Sequence, residues 1–205
     1  MYTLIGGPQN RTFRVVWMLE ELGLPYQRQY AKPHEPQVTE HSPLGKLPVL
    51  VTEDGTALTD SVAILTWLAD STGRMTARAG SLERARQDGL TQQIVDDIEG
   101  LLWMSTRHSF VLPEDQRVPA IKDSLRWEFA RNCDRLAERM VGPFIMGEEM
   151  TVPDILATHC LDWAHAAKFE VSSETLLAYH ARMRAREAYS SAVASEKSLA
   201  APATA

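Results

Sequence analysis

The N-terminal part of the chain alternates between short β-prone runs and helical patterns. Residues 2–5 form a run that ends at a Gly-Gly-Pro turn, and this combination predicts a strand. Apolar side chains then recur at helical spacing from Val15 to Leu22. Gly23 followed by Pro25 is typical of a helix end, because glycine accepts the left-handed conformation there and proline cannot continue the helix. A strand followed by a helix is therefore predicted.

A hairpin and a second helix are predicted next. Residues 47–51 have the pattern of a strand, and the sequence Glu-Asp-Gly-Thr at 53–56 is typical of a hairpin turn that leads into a short return strand. Asp60 and Ser61 stand where an N-cap belongs, directly before the apolar helical run 62–68. This pattern completes a small α/β domain.

The pattern changes after Gly80. From Ser81 to about Ser195 apolar residues recur at helical spacing, with breaks only at Gly or Pro and no convincing pair of strands. The expected organisation is an α/β domain at 1–75, a linker and helix start at 76–84, an all-helical domain at 85–195 and a flexible tail at 196–205.

Composition narrows the class of protein. The 205 residues are 44% hydrophobic and 23% charged, as in an ordinary globular protein, and the formal net charge is -6. An acidic chain without a long basic run is a poor nucleic-acid binder. No apolar run approaches the roughly 20 residues that span a bilayer, and the N-terminus lacks the pattern of a signal peptide. We therefore expect a soluble, cytoplasmic protein that binds neither nucleic acid nor a membrane.

Leu47 and Pro48 form a candidate binding segment. Proline cannot donate to a β-ladder, so it belongs at the start of a strand, and an X-Pro bond adopts the cis form at a cost of only ~0.5–1 kcal/mol. We expect a cis bond here, because it turns the Leu47 backbone outward to pair with an extended peptide by strand addition. The alternative is a plain junction between a turn and a strand.

Asp60 and Ser61 form a second candidate site. Free N–H groups and the positive end of a helix dipole together favour an anion. Ser61 can bind one oxygen of a carboxylate while Asp60 accepts from an ammonium group, so the pair suits a zwitterionic amino acid. The alternative is ordinary helix capping.

The order of these motifs resembles a known family. A strand, a helix, Pro-Leu-Gly-Lys-Leu-Pro-Val-Leu at 43–50, a glycine hairpin and Thr-Asp-Ser-Val-Ala-Ile-Leu at 59–65 follow one another. This order resembles the N-terminal, thioredoxin-like domain of the soluble, cytosolic-type glutathione S-transferases of bacterial kind. Residues 14–25 are similar to that family's first helix, and Thr151 with Asp154 resembles its C-terminal capping box. The resemblance implies an α/β thioredoxin-like domain followed by an all-α helical domain.

The resemblance also implies where glutathione, the expected co-substrate, binds. Leu47 and Pro48 would hold its cysteinyl backbone, and Asp60 and Ser61 would hold its γ-glutamyl end. The second substrate would be a small electrophile, and the protein would be a homodimer.

Lys46 and His34 are two further contacts that the resemblance implies. Lys46 would lie near the carboxylates of the tripeptide. His34 falls in a loop where the family often contacts the glycine carboxylate, and the alternative for this residue is a solvated loop position.

The reactive position departs from the family pattern. Where members usually carry Tyr, Ser or Cys, this chain has Gln9-Asn10-Arg11-Thr12. Asn10 aligns with the hydroxyl position, and its amide can donate to the glutathione thiolate. Thr12 is the nearest hydroxyl and is expected to cap the helix. The helix dipole and Arg11 can lower the thiol pKa without any hydroxyl. The catalytic candidates are therefore Asn10 and Thr12, and Arg11 joins Asn10 among the glutathione-binding candidates.

The positions of the two cysteines exclude part of the family's chemistry. Cys133 and Cys160 both follow the first domain, so its first helix carries no cysteine nucleophile. Both are expected to be small core residues. No spacing of His, Cys, Asp or Glu indicates a metal site, and no metal is expected.

The helical domain is expected to supply the pocket for the electrophile. Trp103, Arg107, His108 and Phe110 are candidates for a mixed apolar and basic cleft, in which an arginine favours an anionic or electron-poor substrate. The alternative is that this stripe packs in the core, as apolar residues at helical spacing usually do.

The expected function is glutathione transfer onto a small, hydrophobic electrophile after activation of the thiol. One alternative is a non-catalytic glutathione-binding or scaffold protein on the same fold, since fold does not fix function. Another is a glutathione-dependent peroxidase, isomerase or dehalogenase.

Overall fold

The computed structural model describes residues 1–200, which form two compact units. The N-terminal unit consists of Met1–Arg74 together with the chain from Arg184 onward, and the helical unit consists of Met75–Met183. The helical domain was predicted to span residues 85–195. In the structure, residues 184–195 of that range belong to the N-terminal unit instead.

The N-terminal unit is built on a four-stranded mixed sheet. Its elements are β1 (Tyr2–Ile5), α1 (Thr12–Leu22), β2 (Tyr26–Gln29), α2 (Pro36–Thr39), β3 (Val49–Val51), β4 (Ala57–Thr59), α3 (Ser61–Thr72) and α9 (Glu187–Ala200). The strand order is β2-β1-β3-β4, in which β1 pairs parallel to β2 and antiparallel to β3, and β3 pairs antiparallel to β4. A parallel pair needs a crossover, which α1 provides.

Helix α1 ends where the sequence predicts. Gly23 takes a φ of 66°, its N–H donates to the carbonyl of Glu20 at 3.2 Å, and the Leu24 N–H donates to Leu19 at 3.0 Å. These two bonds form a Schellman motif. Residues 15–19 of the helix are fully buried, because α1 packs on β1, α3 and α9.

Two elements of the N-terminal unit, β2 and α2, were not predicted. The β2 sequence is Tyr-Gln-Arg-Gln, and the strand lies at the edge of the sheet with alternate residues half-buried. A polar edge strand lacks the apolar alternation by which strands are recognised in a sequence. Helix α2 spans only four residues, which is too short for a periodic pattern.

Helix α9 packs on α1 through aromatic rings. The Tyr189 ring makes edge contacts with Phe13 at 5.3 Å and with Trp17 at 5.1 Å between centroids. The Arg186 guanidinium adds two hydrogen bonds to the Glu21 carboxylate, at 2.6 and 2.7 Å. These contacts explain why the last part of the chain belongs to the N-terminal unit.

The predicted flexible tail at 196–205 requires a correction. Residues 196–200 continue α9 as a helix, and residues 201–205 lie outside the described part of the chain. The physical reason is that Glu196 is largely buried and makes hydrogen bonds to Gln9 and Arg28.

The helical unit begins with a long, unbroken helical stretch. Its elements are α4 (Leu82–Gln93), a π-helical segment Ile94–Glu99, α5 (Gly100–Thr106), a second π-helical segment Arg107–Val111, 3₁₀ turns at Glu114–Gln116 and Pro119–Ile121, α6 (Lys122–Arg139), α7 (Val152–Ala166) and α8 (Glu174–Arg184), whose last residue falls in the N-terminal unit. Within residues 1–200 no helix is both long and apolar enough to cross a membrane.

The predicted capping box begins α7. Asp154 is fully buried, and its carboxylate accepts from the Thr151 N–H at 2.8 Å, the Ile145 N–H at 2.9 Å and the Tyr179 hydroxyl at 3.0 Å. Burial raises the pKa of Asp154, and these hydrogen bonds oppose that shift. One carboxylate thus joins the start of α7 to the preceding loop and to α8.

Both cysteines are buried in the helical unit, as predicted. Cys133 is 1% exposed and Cys160 is not exposed at all. Burial raises the pKa of the Cys133 thiol to about 12, so this thiol is not a nucleophile at neutral pH.

Candidate functional site

Three candidate segments leave the sheet at the same end. The register pairs Ile5 with Val49, and Val49 with Thr59. The turn after Ile5, the residues before Val49 and the helix start after Thr59 therefore lie side by side. We refer to this edge as the Ile5 end of the sheet.

The β1–α1 turn, residues 6–11, is tightly packed. A Cβ on Gly6 would lie 2.2 Å from the Thr12 Oγ1, so only glycine fits there without a rearrangement. Gln9 takes a positive φ of 61°, which is uncommon for a residue with a side chain. The backbone of this turn is therefore held in one specific shape.

Asn10 closes the turn with its side chain. Its Oδ1 accepts from the Thr12 N–H at 2.8 Å and from the Thr12 hydroxyl at 2.6 Å. Its Nδ2 donates to the carbonyl of Gly7 at 3.0 Å and to that of Pro8 at 3.3 Å. Asn10 thus connects the turn to the first residue of α1.

The expectation that Thr12 caps α1 is wrong. Thr12 is the first residue of the helix, and Arg11 stands at the N-cap without a side-chain capping bond. Thr12 is fully buried and gives its hydroxyl hydrogen to Asn10. Asn10 satisfies the Thr12 N–H instead, because its side-chain carbonyl oxygen reaches the N–H two residues ahead.

The Leu47-Pro48 bond is cis, as predicted. Pro48 is buried, and the half-buried Leu47 packs against a small core that includes Ile5, Val38 and Val49. The segment is thus fixed at the Ile5 end of the sheet.

His34 lies against the residue that precedes Lys46. The His34 backbone N–H donates to the Gly45 carbonyl at 2.9 Å. A Cβ on Gly45 would lie 2.2 Å from the His34 Nδ1, so the imidazole ring packs directly on this glycine. His34 and Lys46 are both exposed. The structure therefore brings these two candidates next to the Leu47-Pro48 segment.

Asp60 caps α3 and is exposed. Its Oδ1 accepts from the N–H groups of Val62 at 2.8 Å and Ala63 at 3.1 Å, and its carbonyl accepts from Ile64 at 3.0 Å. The helix therefore uses three of its first four N–H groups itself. Within the described residues, the donors that remain at this end are the N–H and the hydroxyl of Ser61.

Arg14 is a site residue that sequence reasoning missed. It is fully buried in α1, and its Nη1 donates to the Ser61 Oγ at 3.2 Å. Arg14 shares a helix face with Met18 and Leu22, which are both buried. The signal in the sequence is that Arg14 is a charged residue at a position where the helical pattern predicts a buried, apolar one.

The electrophile-pocket candidates lie on one stretch of the helical unit. Trp103 is on α5, and Arg107, His108 and Phe110 follow on the second π-helical segment. The His108 Nδ1 accepts from the Val118 N–H at 3.0 Å, while Phe110 is 69% exposed. Single π-helical turns are frequent at functional sites.

The aromatic surroundings of Trp103 are also defined. Its ring makes an edge contact with Trp163 at 6.5 Å, and Trp163 contacts the His159 ring at 6.3 Å. No group of three or more His, Cys, Asp or Glu side chains in residues 1–200 is placed to hold a metal ion.

A four-stranded mixed sheet with flanking helices, followed by a largely helical unit, defines a protein with a thioredoxin-like domain and an all-α domain, as predicted. Residues 11–71 match the family described as "Glutathione S-transferase, N-terminal domain". Over these residues the chain is similar to the N-terminal domain of the glutathione S-transferases.

Individual proteins with the same description are similar over a longer part of the chain. The chain is 27% identical to glutathione S-transferase GstA of Escherichia coli O157:H7 over 162 residues, which cover 76% of each chain. A glutathione transferase of Methylococcus capsulatus shares 25% identity and a TM-score of 0.82, with coverage of 96% of this chain and 99% of that one. A family member from Pseudomonas fluorescens, crystallised with two glutathione molecules, shares the fold with a TM-score of 0.78, 22% identity and coverage of 94% and 92%.

Proposed function

We propose that this chain binds glutathione at the Ile5 end of its sheet and activates the thiol for attack on a small electrophile. The observation that carries the proposal is the exposed Asp60 beside Ser61, whose hydroxyl is backed by the buried Arg14. The similarity of residues 11–71 to the glutathione S-transferase N-terminal domain supports it, as does the bound glutathione in the Pseudomonas fluorescens relative.

The γ-glutamyl end of glutathione suits this helix start. Because the Ser61 oxygen accepts from Arg14, its hydroxyl hydrogen is available for the carboxylate of the ligand. The Ser61 N–H and the dipole of α3 both favour the same anion. The two capping bonds of Asp60 use its Oδ1, so its Oδ2 can accept from the ammonium group.

The remaining contacts follow from the neighbouring segments. The Leu47 backbone pairs with the cysteinyl part of glutathione by strand addition, with Pro48 behind it. Lys46 supplies positive charge for the glycine carboxylate, and the His34 ring can donate a hydrogen bond to it. This arrangement directs the sulfur toward the β1–α1 turn.

Thiol activation is assigned to Asn10. Its bond to the Pro8 carbonyl is long at 3.3 Å, so this hydrogen can turn to a bound sulfur. The positive end of α1 and Arg11 favour the thiolate as well. Thr12 holds Asn10 in place through its buried hydroxyl. After the thiol proton leaves to solvent, the sulfur forms a bond to the electrophilic carbon and the leaving group departs with its electron pair.

The electrophile is expected to contact Trp103, Arg107, His108 and Phe110 of the helical unit, where the guanidinium favours an anionic or electron-poor substrate. A homodimer and a cytoplasmic location are further parts of the proposal, and the family resemblance supports both.

One titration tests the proposed function. Glutathione is added to the protein while binding is followed by calorimetry and thiolate by its ultraviolet absorbance, and a chloronitrobenzene then serves as electrophile. The expected result is a saturable thiolate band and turnover. Binding without either would favour a non-catalytic glutathione-binding protein, and no binding would refute the proposal.

Ser61→Ala is expected to weaken glutathione binding by ~1–2 kcal/mol, about five- to thirtyfold, because one donor to the γ-glutamyl carboxylate is lost. Calorimetry measures the affinity and thermal unfolding measures the stability. Ser71→Ala, at the other end of α3, is the control, since its hydroxyl bonds only the Leu68 carbonyl. If the affinity is unchanged and the stability is lowered, Ser61 serves only to accept the hydrogen bond from Arg14 and does not bind glutathione.

Asn10→Ala is expected to raise the pKa of the bound glutathione thiol, because the donor to the thiolate is removed. Turnover should therefore fall more near pH 7 than near pH 9, where the thiolate forms unaided. Thr12→Val is the matched control, since it removes the hydroxyl that bonds Asn10 but keeps the buried shape. The pH profile of kcat/KM measures both, and a larger shift in Thr12→Val would contradict the assignment to Asn10.

A further inference from the structure

The last described turns of α9 reach the β1–α1 turn. The Glu196 Oε2 accepts from the backbone N–H of Gln9 at 3.0 Å, across 187 residues of sequence. The Glu196 Oε1 accepts from the Arg28 Nη2 at 2.9 Å, and the Arg28 Nη1 also donates to the Ser195 hydroxyl at 3.3 Å. The end of α9 is thus joined both to β2 and to the turn.

Glu196 and Asn10 hold the same peptide unit from its two sides. The carbonyl of the Pro8–Gln9 peptide accepts from the Asn10 Nδ2, and its N–H donates to Glu196. Gln9 has a φ of 61°, a conformation that persists only where the surroundings enforce it. The carboxylate is one of the groups that enforce it.

The charge of Glu196 is largely cancelled where it lies. The side chains of Arg28 and Glu196 are only 10% and 12% exposed, so the ion pair is well shielded from water. A lone carboxylate near the turn would oppose a thiolate, whereas the paired one leaves a directional acceptor with little net field. The geometry therefore indicates that Glu196 acts by positioning the Gln9 backbone and not through its negative charge.

We infer that Glu196 is a positioning residue for thiol activation. By holding the Gln9 backbone directly before Asn10, it keeps the Asn10 amide in place when one of its hydrogens turns from the Pro8 carbonyl to the sulfur. The inference rests on the proposed function and deepens it, since it makes the activity of the β1–α1 turn depend on the docked C-terminal helix. Residues at the two ends of the sequence then form one functional unit.

Three variants of the full-length chain test the inference. Glu196→Ala removes the acceptor, and Glu196→Gln keeps an acceptor oxygen without the charge. Arg186→Met is the matched control, because it removes the two bonds to Glu21 that hold α9 at its other end. The measurements are the thiol pKa in the glutathione complex, kcat and KM for glutathione, the melting temperature, and hydrogen exchange at the Gln9 amide.

In Glu196→Ala we expect the Gln9 amide hydrogen to exchange at least tenfold faster than in the wild type, because a charge-assisted hydrogen bond is lost. We also expect kcat/KM to fall about tenfold and the pKa of the bound thiol to rise. Glu196→Gln should stay within about threefold of the wild type, because a neutral hydrogen bond to the same N–H remains. Arg186→Met should lower the melting temperature but leave the thiol pKa unchanged.

Two results would overturn the inference while the proposed function stands. If Glu196→Ala and Arg186→Met change the thiol pKa equally, α9 acts only as a structural support. If both Glu196 variants lower the thiol pKa, the carboxylate acts through its charge. A wild-type protein that forms no glutathione thiolate would refute the proposed function itself, and the inference with it.

Discussion

Asp154→Ala is expected to lower the free energy of unfolding by about 3 to 5 kcal/mol, since it leaves several buried donors without their acceptor. The N–H groups of Ile145 and Thr151 and the Tyr179 hydroxyl all donate to this carboxylate. The loss should appear in thermal unfolding as a fall of roughly 2–4 °C per kcal/mol for a chain of this size. Denaturant titration gives the free energy directly.

Asp134→Ala is the control for this variant, because Asp134 is an exposed residue of α6 in the same unit. Its expected effect is within about 0.5 kcal/mol, as for most surface substitutions. A loss of similar size in both variants would contradict the role given to the capping box.

The pH dependence of the Asp154 contribution has a definite sign. Burial raises its pKa above the unfolded value of 3.8, so the folded state binds this proton more tightly. The stabilisation from proton binding is complete below that value and is lost as the pH rises through the folded pKa. The difference in unfolding free energy between the wild type and Asp154→Asn should therefore fall as the pH rises from about 4.

Asp60→Asn is expected to weaken glutathione binding by about 1.5–3 kcal/mol, roughly ten- to more than a hundredfold, because the bond to the ammonium group loses its negative partner. The fold should change little. Asparagine is an equally good N-cap, and it tolerates the positive φ of 69° that Asp60 adopts. Calorimetric titration with glutathione measures the affinity.

A second ligand gives this experiment its internal check. Glutathione that lacks the γ-glutamyl ammonium should bind the wild type and Asp60→Asn with nearly equal affinity. If Asp60→Asn keeps full affinity for glutathione itself, Asp60 is a helix cap and the ammonium is recognised elsewhere.

Features that rest on local signals could be predicted from the sequence. The end of α1 at Gly23, the hairpin before β4 and the cap of α3 by Asp60 each depend on residues within one turn of one another. The capping box of Asp154 and the cis bond before Pro48 are local in the same sense.

Features that rest on distant contacts could not be predicted in this way. Arg14 and Ser61 are 47 residues apart, so neither segment alone indicates that the two side chains meet. The edge strand β2 has no apolar pattern, because it owes its conformation to pairing with β1. The failed prediction that Thr12 caps α1 has another cause. Thr12 is itself the first residue of the helix, and its N–H and hydroxyl both donate to the Asn10 side chain.

The N-terminal unit is assembled from both ends of the chain, and this sets an order of events during synthesis. The ring of Tyr189, which covers Phe13 and Trp17, leaves the ribosome only after the whole helical unit has been made. At about 5–20 residues per second, the 172 residues from Trp17 to Tyr189 take on the order of 9–35 s to synthesise, and this face of α1 lacks its α9 contacts for that time. A nascent chain in that interval exposes two aromatic side chains that the finished protein packs away. Translation speed and chaperone access therefore act on this unit most strongly before its last helix arrives.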